Sequence, residues 1–263
     1  MSEMNGLVLI ERREATSIVT FNEPARMNPF SEAMRRQAAD ILAAEMADRA
    51  VRAIVLTGAG GQFSAGGDIR QMAAEERPDP ARFKRRLELL HGLVRLVAGG
   101  PKPVVAAVEG VAFGAGLSLA AACDFVVAGE GARFGAAFGR IGLTADCGLL
   151  WSLPQRIGLG RAKDMMFTGR PVGAEEAVRI GLADRLVPAG TALVAALDKT
   201  AEYLDTAPLS IAAMKAGLAE APCDLESALR LEGHQQPMLG MTADHTEGRH
   251  AFLQKRRPHF TGA

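Results

Sequence analysis

Gly58-Ala59-Gly60-Gly61-Gln62-Phe63-Ser64-Ala65-Gly66-Gly67-Asp68 hangs on the end of an apolar, β-rich run, Ala53 to Thr57. A backbone this bare lets its amides approach a ligand closely, although the same composition suits a plain strand-to-helix connection, and composition alone leaves the two readings level. Further on, Gly110-Val111-Ala112-Phe113-Gly114-Ala115-Gly116-Leu117-Ser118-Leu119 repeats the order of strand, small residues and helix. The start of that helix offers free amides and the positive end of its dipole. An amide from the first loop would complete a two-donor pocket for a developing oxyanion. Neither segment completes GxGxxG or the P-loop pattern, so a nucleotide phosphate fits poorly.

Around these segments the chain alternates strands and helices. Leu7 to Ile10 and Ser17 to Phe21 read as an opening hairpin closed by a turn at Glu23-Pro24. Ser31 stands as N-cap before Met34, Ala38, Ile41, Leu42 and Met46, one face of an amphipathic helix. Phe83 to Val97 reads as a helix after the loop Pro78 to Pro80, and Pro103 to Val108 and Phe125 to Ala128 as strands. Strands this uniformly apolar suit a sheet covered on both faces. After Val187 only helices follow: Leu193 to Leu204, Leu209 to Leu218, Leu225 to Leu231 and Thr242 to Lys255, punctuated by Pro188, Pro208 and Pro222. The expected organisation is an α/β core over residues 1–190 and a helical lid or oligomerisation region over 191–263, with no internal repeat.

With 263 residues, 48% of them hydrophobic and 23% charged, the chain can bury a sizeable core. Lys plus Arg equals Asp plus Glu at 30 each, which leaves no basic excess for a nucleic-acid partner. Cys123, Cys147 and Cys223 are odd in number and far apart, against a disulfide framework or a zinc site, and a reducing, cytoplasmic setting fits them. The start of the chain, with Glu3 and only Leu7 to Ile10 as an apolar run, does not read as a signal peptide. The longest uncharged run, Gly110 to Cys123, falls short of the roughly 20 apolar residues of a spanning helix, so no membrane partner is expected.

Phe63 to Ile69 and Gly110 to Leu119 resemble the two oxyanion segments of the crotonase (enoyl-CoA hydratase/isomerase) superfamily. The likeness continues through Pro101-Lys102-Pro103, Cys123-Asp124, Phe134-Gly135 and Ala251-Phe252-Leu253-Gln254-Lys255-Arg256. It implies an α/β crotonase-type spiral of ββα units with a C-terminal helical oligomerisation region, assembled as trimers or as hexamers made of two trimers. It also implies an acyl-CoA thioester as partner, with coenzyme A arriving as part of the substrate and neither a prosthetic group nor a metal. By matching position, Gly67 and Ala115 would donate their N–H groups to the thioester oxygen. Ala65 and Ile69 would lie beside the adenine, with Asp68 in the same CoA-binding segment. Arg26, in Pro24-Ala25-Arg26-Met27-Asn28-Pro29, stands where the family contacts CoA early in the chain, and Phe252 and Lys255 match residues reaching the CoA of a neighbouring subunit.

Hydratases of this superfamily hold water with two glutamates, and the matching positions here are Ser118 and Phe138, neither of which can serve as a base. Little hydratase activity is therefore expected. Asp146 is a nearby carboxylate among apolar and small residues, a setting that raises a carboxyl pKa and suits a single proton shuttle between α and γ carbons. Taken by itself, Asp146 before Leu149, Leu150 and Leu153 reads as a helix N-cap; beside the oxyanion segments the shuttle is the stronger reading. The segment from Phe138 to Gly148 is most similar to the phenylacetate-pathway isomerases acting on ring-epoxide CoA thioesters, as is the closing Phe260-Thr261-Gly262, although Leu149-Leu150 is bulkier than theirs.

The expected function is a CoA-thioester isomerase with Asp146, Gly67 and Ala115 as catalytic groups. A hydratase with an unusual base and a non-catalytic acyl-CoA binder stay open as alternatives. Phe138, Trp151 and the stretch Gln71 to Arg82 are expected to wall the acyl group, and Cys147 to be a small pocket-lining residue without a base to activate it. Gly116-Leu117-Ser118-Leu119-Ala120 lacks the closing glycine and histidine partner of a nucleophile elbow. His91, His234, His245, His250 and His259 show no metal-ligand spacing, and solvent exposure is expected for them.

Overall fold

A computed structural model describes residues 6–73, 79–220 and 224–263. Glu3, Pro78, Pro222 and Cys223, and part of the Gln71 to Arg82 stretch, therefore lie outside the described residues. β1 (Val8–Arg13) and β2 (Thr16–Phe21) form the expected hairpin, antiparallel with Arg13 opposite Thr16, and Glu14 takes a left-handed φ of 52° at its tip. α1 (Glu32–Ala47) starts as read, with the Ser31 side chain accepting the Met34 N–H at 3.2 Å. Then come β3 (Ala53–Gly58), α2 (Ile69–Ala73), α3 (Pro80–Gly99), β4 (Val104–Val108), β5 (Val111–Phe113), α4 (Ala115–Ala122), β6 (Phe125–Gly129) and β7 (Arg133–Gly135). α5 (Leu149–Ile157), α6 (Leu159–Thr168), β8 (Pro171–Gly173), α7 (Ala174–Ile180) and β9 (Arg185–Val187) lead to the helices α8 (Ala192–Leu204), α9 (Pro208–Ala219), α10 (Leu225–Gly240) and α11 (Ala243–Gln254).

The main sheet runs in the order β1-β2-β3-β4-β6-β9, parallel throughout except for the opening hairpin, and a small sheet orders β5-β7-β8. Alternation along the central strands sends Val19, Ile54, Leu56, Val104, Ala106, Val108, Val126 and Ala128 into the larger core. Ile18, Val55, Val105, Ala107 and Val127 point to the other face, where Ala192 and Ala196 of α8 cover them. Both faces are buried, which is why the strands lack polar alternation. α8 thus belongs to the sheet's covering, although it falls inside the helical region expected from residue 191. α10 extends past the expected Leu231 to Gly240 because α9 supports it, with Gln235 Nε2 donating to the Ala213 carbonyl at 3.1 Å. Among the described residues no helix is long and apolar enough to cross a membrane.

Phe63, at the entry to the glycine-rich loop, is fully enclosed and meets Phe21 edge-on at 5.8 Å, while Phe21 meets Phe30 likewise at 5.1 Å. This cluster roots the loop in the core between the hairpin and the start of α1. Phe63→Ala is expected to cost about 3–5 kcal/mol of stability, measured by denaturant unfolding, and a loss below about 1 kcal/mol would show the loop held elsewhere.

Candidate active site

The two small-residue segments are stitched to each other. Ser64 N–H donates to the Val111 carbonyl at 2.9 Å and Phe113 N–H donates to the Ser64 carbonyl at 3.0 Å, while Ser64 and Ala112 pair as a parallel bridge. Asn28, fully buried, fixes the first loop from outside: its side-chain amide donates to the Ala59 and Gln62 carbonyls and its main-chain carbonyl accepts the Ser64 hydroxyl at 2.7 Å. Gly66 sits at φ +88°, and a Cβ there would stand 2.4 Å from the Phe113 carbonyl oxygen and 3.1 Å from the Ala115 nitrogen. Only glycine allows this approach, which sets Gly67 beside the start of α4. Among the described residues no hydrogen bond engages the N–H of Gly67 or of Ala115, and both residues face one cavity. Their unspent donors, one of them at a helix N-terminus, match an oxyanion site.

That cavity measures about 240 Å³ and is walled mainly by apolar groups, among them Met72, Phe83, Leu87, Leu90, Phe138 and Leu143. Asp146 enters it from the loop before α5. Its carboxyl is half-buried, Oδ1 has no hydrogen-bond partner among the described residues, and burial raises its pKa above the usual carboxylate range against the opposing pull of the Cys147 thiol, Arg35 and His91. Ser118 Oγ lies 3.0 Å from the Asp146 carbonyl and 3.2 Å from that of Gly114, so its proton is shared between the Asp146 loop and the start of α4. Ser118 thus braces the backbone of Asp146.

Asp146 is not a side-chain cap. α5 is capped by Gly148 without a side-chain hydrogen bond, because Cys147 and Gly148 turn the chain left-handed at φ 52° and 75°. Cys147 is buried beside Asp146 but does not line the cavity, correcting the expected pocket role; burial and then the Asp146 charge push its thiol pKa up, away from thiolate. His91, expected at the surface, is half-buried on α3 within electrostatic reach of Asp146.

Of the residues expected to meet substrate, Ala65, Gly67, Ile69, Ala115, Phe138 and Asp146 line the cavity together. Arg26 and Asp68 stand as a pair at 2.6 Å beneath the first loop, Arg26 also reaching Glu23 at 2.9 Å. Burial alone would raise the Asp68 carboxyl, but Arg26 and the Gln71 amide outweigh it and hold its pKa below the ordinary value. Trp151 requires correction: it lies on a separate depression with Cys123, Tyr203 and Lys215. α5 turns Leu149, Leu153 and Ile157 to the core, and residue 151 falls on the other side of the helix. Phe252 and Lys255 are exposed at the end of α11, apart from the cavity of their own chain. From the Gln71 to Arg82 stretch, Met72 is on the wall, and the neighbouring Phe83 joins it.

The sequence reading missed Arg35 and Arg86, which line the cavity although 3% and 5% exposed. A signal existed. Arg35 falls within the buried stripe of α1 with Met34, Ala38 and Leu42, and Arg86 begins the stripe continued by Leu90, Leu93 and Val97 on α3.

The sequence model of the enoyl-CoA hydratase/isomerase family matches residues 11–263. A 1,2-epoxyphenylacetyl-CoA isomerase of Escherichia coli is 36% identical over 262 residues, 98% of this chain and 100% of its own length. A 2,3-dehydroadipyl-CoA hydratase of the same organism is 32% identical over 268 residues, covering 100% of both. Among solved structures, an enoyl-CoA hydratase from Polaromonas sp. JS666 aligns with a TM-score of 0.91 at 32% identity over 96% of this chain and 99% of that one. The α/β architecture with its parallel sheet is therefore the crotonase fold.

Proposed function

The chain belongs to the enoyl-CoA hydratase/isomerase family, and on that premise we propose that it shifts a double bond within an unsaturated acyl-CoA thioester, or rearranges an unsaturated ring attached to one. The observation that carries this is Asp146: one carboxylate of raised pKa faces the cavity shared by the Gly67 and Ala115 amides, and the family resemblance puts Ser118 and Phe138 at the positions of the two hydratase glutamates. Asp146 takes a proton from the α carbon of a β,γ-unsaturated thioester, and the electron pair moves onto the thioester oxygen as a dienolate. The two amides hold that oxygen. Asp146 then returns the proton to the γ carbon, the double bond settles at α,β, and the atoms balance with no metal or redox group. The likeness to a 1,2-epoxyphenylacetyl-CoA isomerase favours this branch, while the likeness to hydratases supports the alternative of hydration by another base.

Coenzyme A enters as part of the substrate, and Ala65, Ile69, Asp68 and Arg26 are proposed to frame its path. Met238, Met241, Phe252 and Leu253 leave exposed apolar surface along α10 and α11, with Lys255 exposed beside it, that self-association into trimers or hexamers would cover. The buried free thiols of Cys123 and Cys147 suit a cytoplasmic setting.

The test is a β,γ-unsaturated acyl-CoA in deuterated water, followed for conjugation and deuterium uptake, with crotonyl-CoA hydration measured in parallel. Conjugation without hydration is expected. Hydration at comparable rates would replace the isomerase reading with the hydratase one, and binding without any turnover would leave a non-catalytic acyl-CoA protein.

A further inference from the structure

Two guanidinium groups stand in the cavity wall, and the proton transfer uses neither. Arg35 comes from α1 and Arg86 from α3, both more than nine-tenths buried. Arg35 Nε is sealed from solvent and has no hydrogen-bond partner among the described residues, and Asp146 Oδ1 is in the same condition, so the two opposite charges share the cavity without being joined through these atoms. Among the described residues the charges facing Arg35 are Arg86, Asp146 and Glu32, with the Cys147 thiol, and burial followed by the Arg86 charge disfavours its charged form. A buried cation is costly unless an anion or strong acceptor meets it. A saturated or olefinic hydrocarbon filling this space would take away the remaining water and give Arg35 nothing. A carboxylate would give it a charge-assisted partner, and a guanidinium fork is built for that shape.

We propose that the acyl group filling this cavity carries a carboxylate remote from the thioester, held by Arg35 with Arg86 beside it, so that the substrate is a CoA hemithioester of a short dicarboxylic acid. The cavity of about 240 Å³ shares Met72, Phe83 and Arg86 with a wider depression of about 750 Å³ beside it, but Arg35 lines only the smaller space, so an acyl group whose carboxylate ends on Arg35 is a short one. The proposal rests on the reading above only in seating the thioester at Gly67 and Ala115.

Isothermal titration of the full chain with saturated, unreactive pairs tests it: glutaryl-CoA against valeryl-CoA, and adipyl-CoA against hexanoyl-CoA. The carboxylated member of at least one pair is expected to bind about tenfold tighter or more. Arg35→Met brings that ratio to about one, and Arg35→Lys keeps part of it. Equal affinities within each pair in the unsubstituted protein overturn the proposal even should Arg35→Met fail to fold, as does a preference that survives Arg35→Met. Saturated thioesters need no chemistry, so an absent isomerase activity with the binding preference intact sinks the isomerase reading alone. Isomerisation of neutral substrates with no carboxylate preference sinks this inference alone.

Discussion

On the isomerase reading, Asp146→Asn lowers conjugation of a β,γ-unsaturated acyl-CoA by about 10²- to 10⁴-fold, the usual contribution of a positioned acid–base group. Asparagine keeps the shape of the side chain and loses the ability to accept a proton. The backbone of residue 146 is held independently, its carbonyl meeting Ser118 Oγ at 3.0 Å and the Leu149 N–H at 3.1 Å, so the loop keeps its path. Deuterium uptake at the α carbon falls with conjugation, because both start with the same proton removal. Full turnover in the variant would remove Asp146 as the shuttle, and loss of conjugation with undiminished α exchange would move its role to the return step.

The same substitution has a stability signature of opposite sign. Burial, the largest cause, raises the folded-state pKa of Asp146 above that of the unfolded chain. The folded protein therefore binds that proton more tightly, and above both pKa values the ionised carboxylate is a net cost to folding. That cost fades as pH falls through the raised folded value and is gone below the unfolded value of about 3.9. Asp146→Asn should accordingly melt higher than the unsubstituted protein at neutral pH, with the gain shrinking in acid. The acid limb of the rate profile lies correspondingly above the ordinary carboxylate range, with Arg35, His91 and Cys147 as the neighbours that limit the shift.

How far the sequence revealed this site depended on the kind of signal. The parallel sheet was legible because Ala53 to Thr57 and Pro103 to Val108 lack polar alternation, and the start of α1 because Ser31 is a capping residue at the right spacing. Gly67, Ala115 and Asp146 were found through resemblance, since spacing cannot tell an oxyanion loop from a plain turn. The strands β7 and β8, three residues each, are too short for any period to register. Trp151 falls on the side of α5 away from Leu149, Leu153 and Ile157, which only the placement of that helix reveals. Arg35 and Arg86 sit on apolar stripes, where their charge by itself argues for solvent. Tertiary context alone decides whether such a residue snorkels out or faces a cavity.

Gly66→Ala is the sharper test of the frame itself, with an expected loss of at least about 10² in kcat, the value of one oxyanion donor. The new Cβ would stand 2.4 Å from the Phe113 carbonyl oxygen, a backbone atom locked in register by Phe113 N–H on the Ser64 carbonyl at 3.0 Å. Neither partner can swing aside as a side chain would, so the two segments must part and carry the Gly67 and Ala115 amides away from each other. Left-handed strain adds about 1–2 kcal/mol. Gly61→Ala separates the two causes: it has nearly the same handedness, φ +67°, but nothing lies within 4 Å of the added Cβ. It should lose comparable backbone stability and keep its turnover, with melting temperature and kcat measured side by side. Equal catalytic losses in the two variants would mean that loop strain, and not the meeting of Gly66 with Phe113, governs activity; an unimpaired Gly66→Ala enzyme would mean that the thioester oxygen is held by donors other than Gly67 and Ala115.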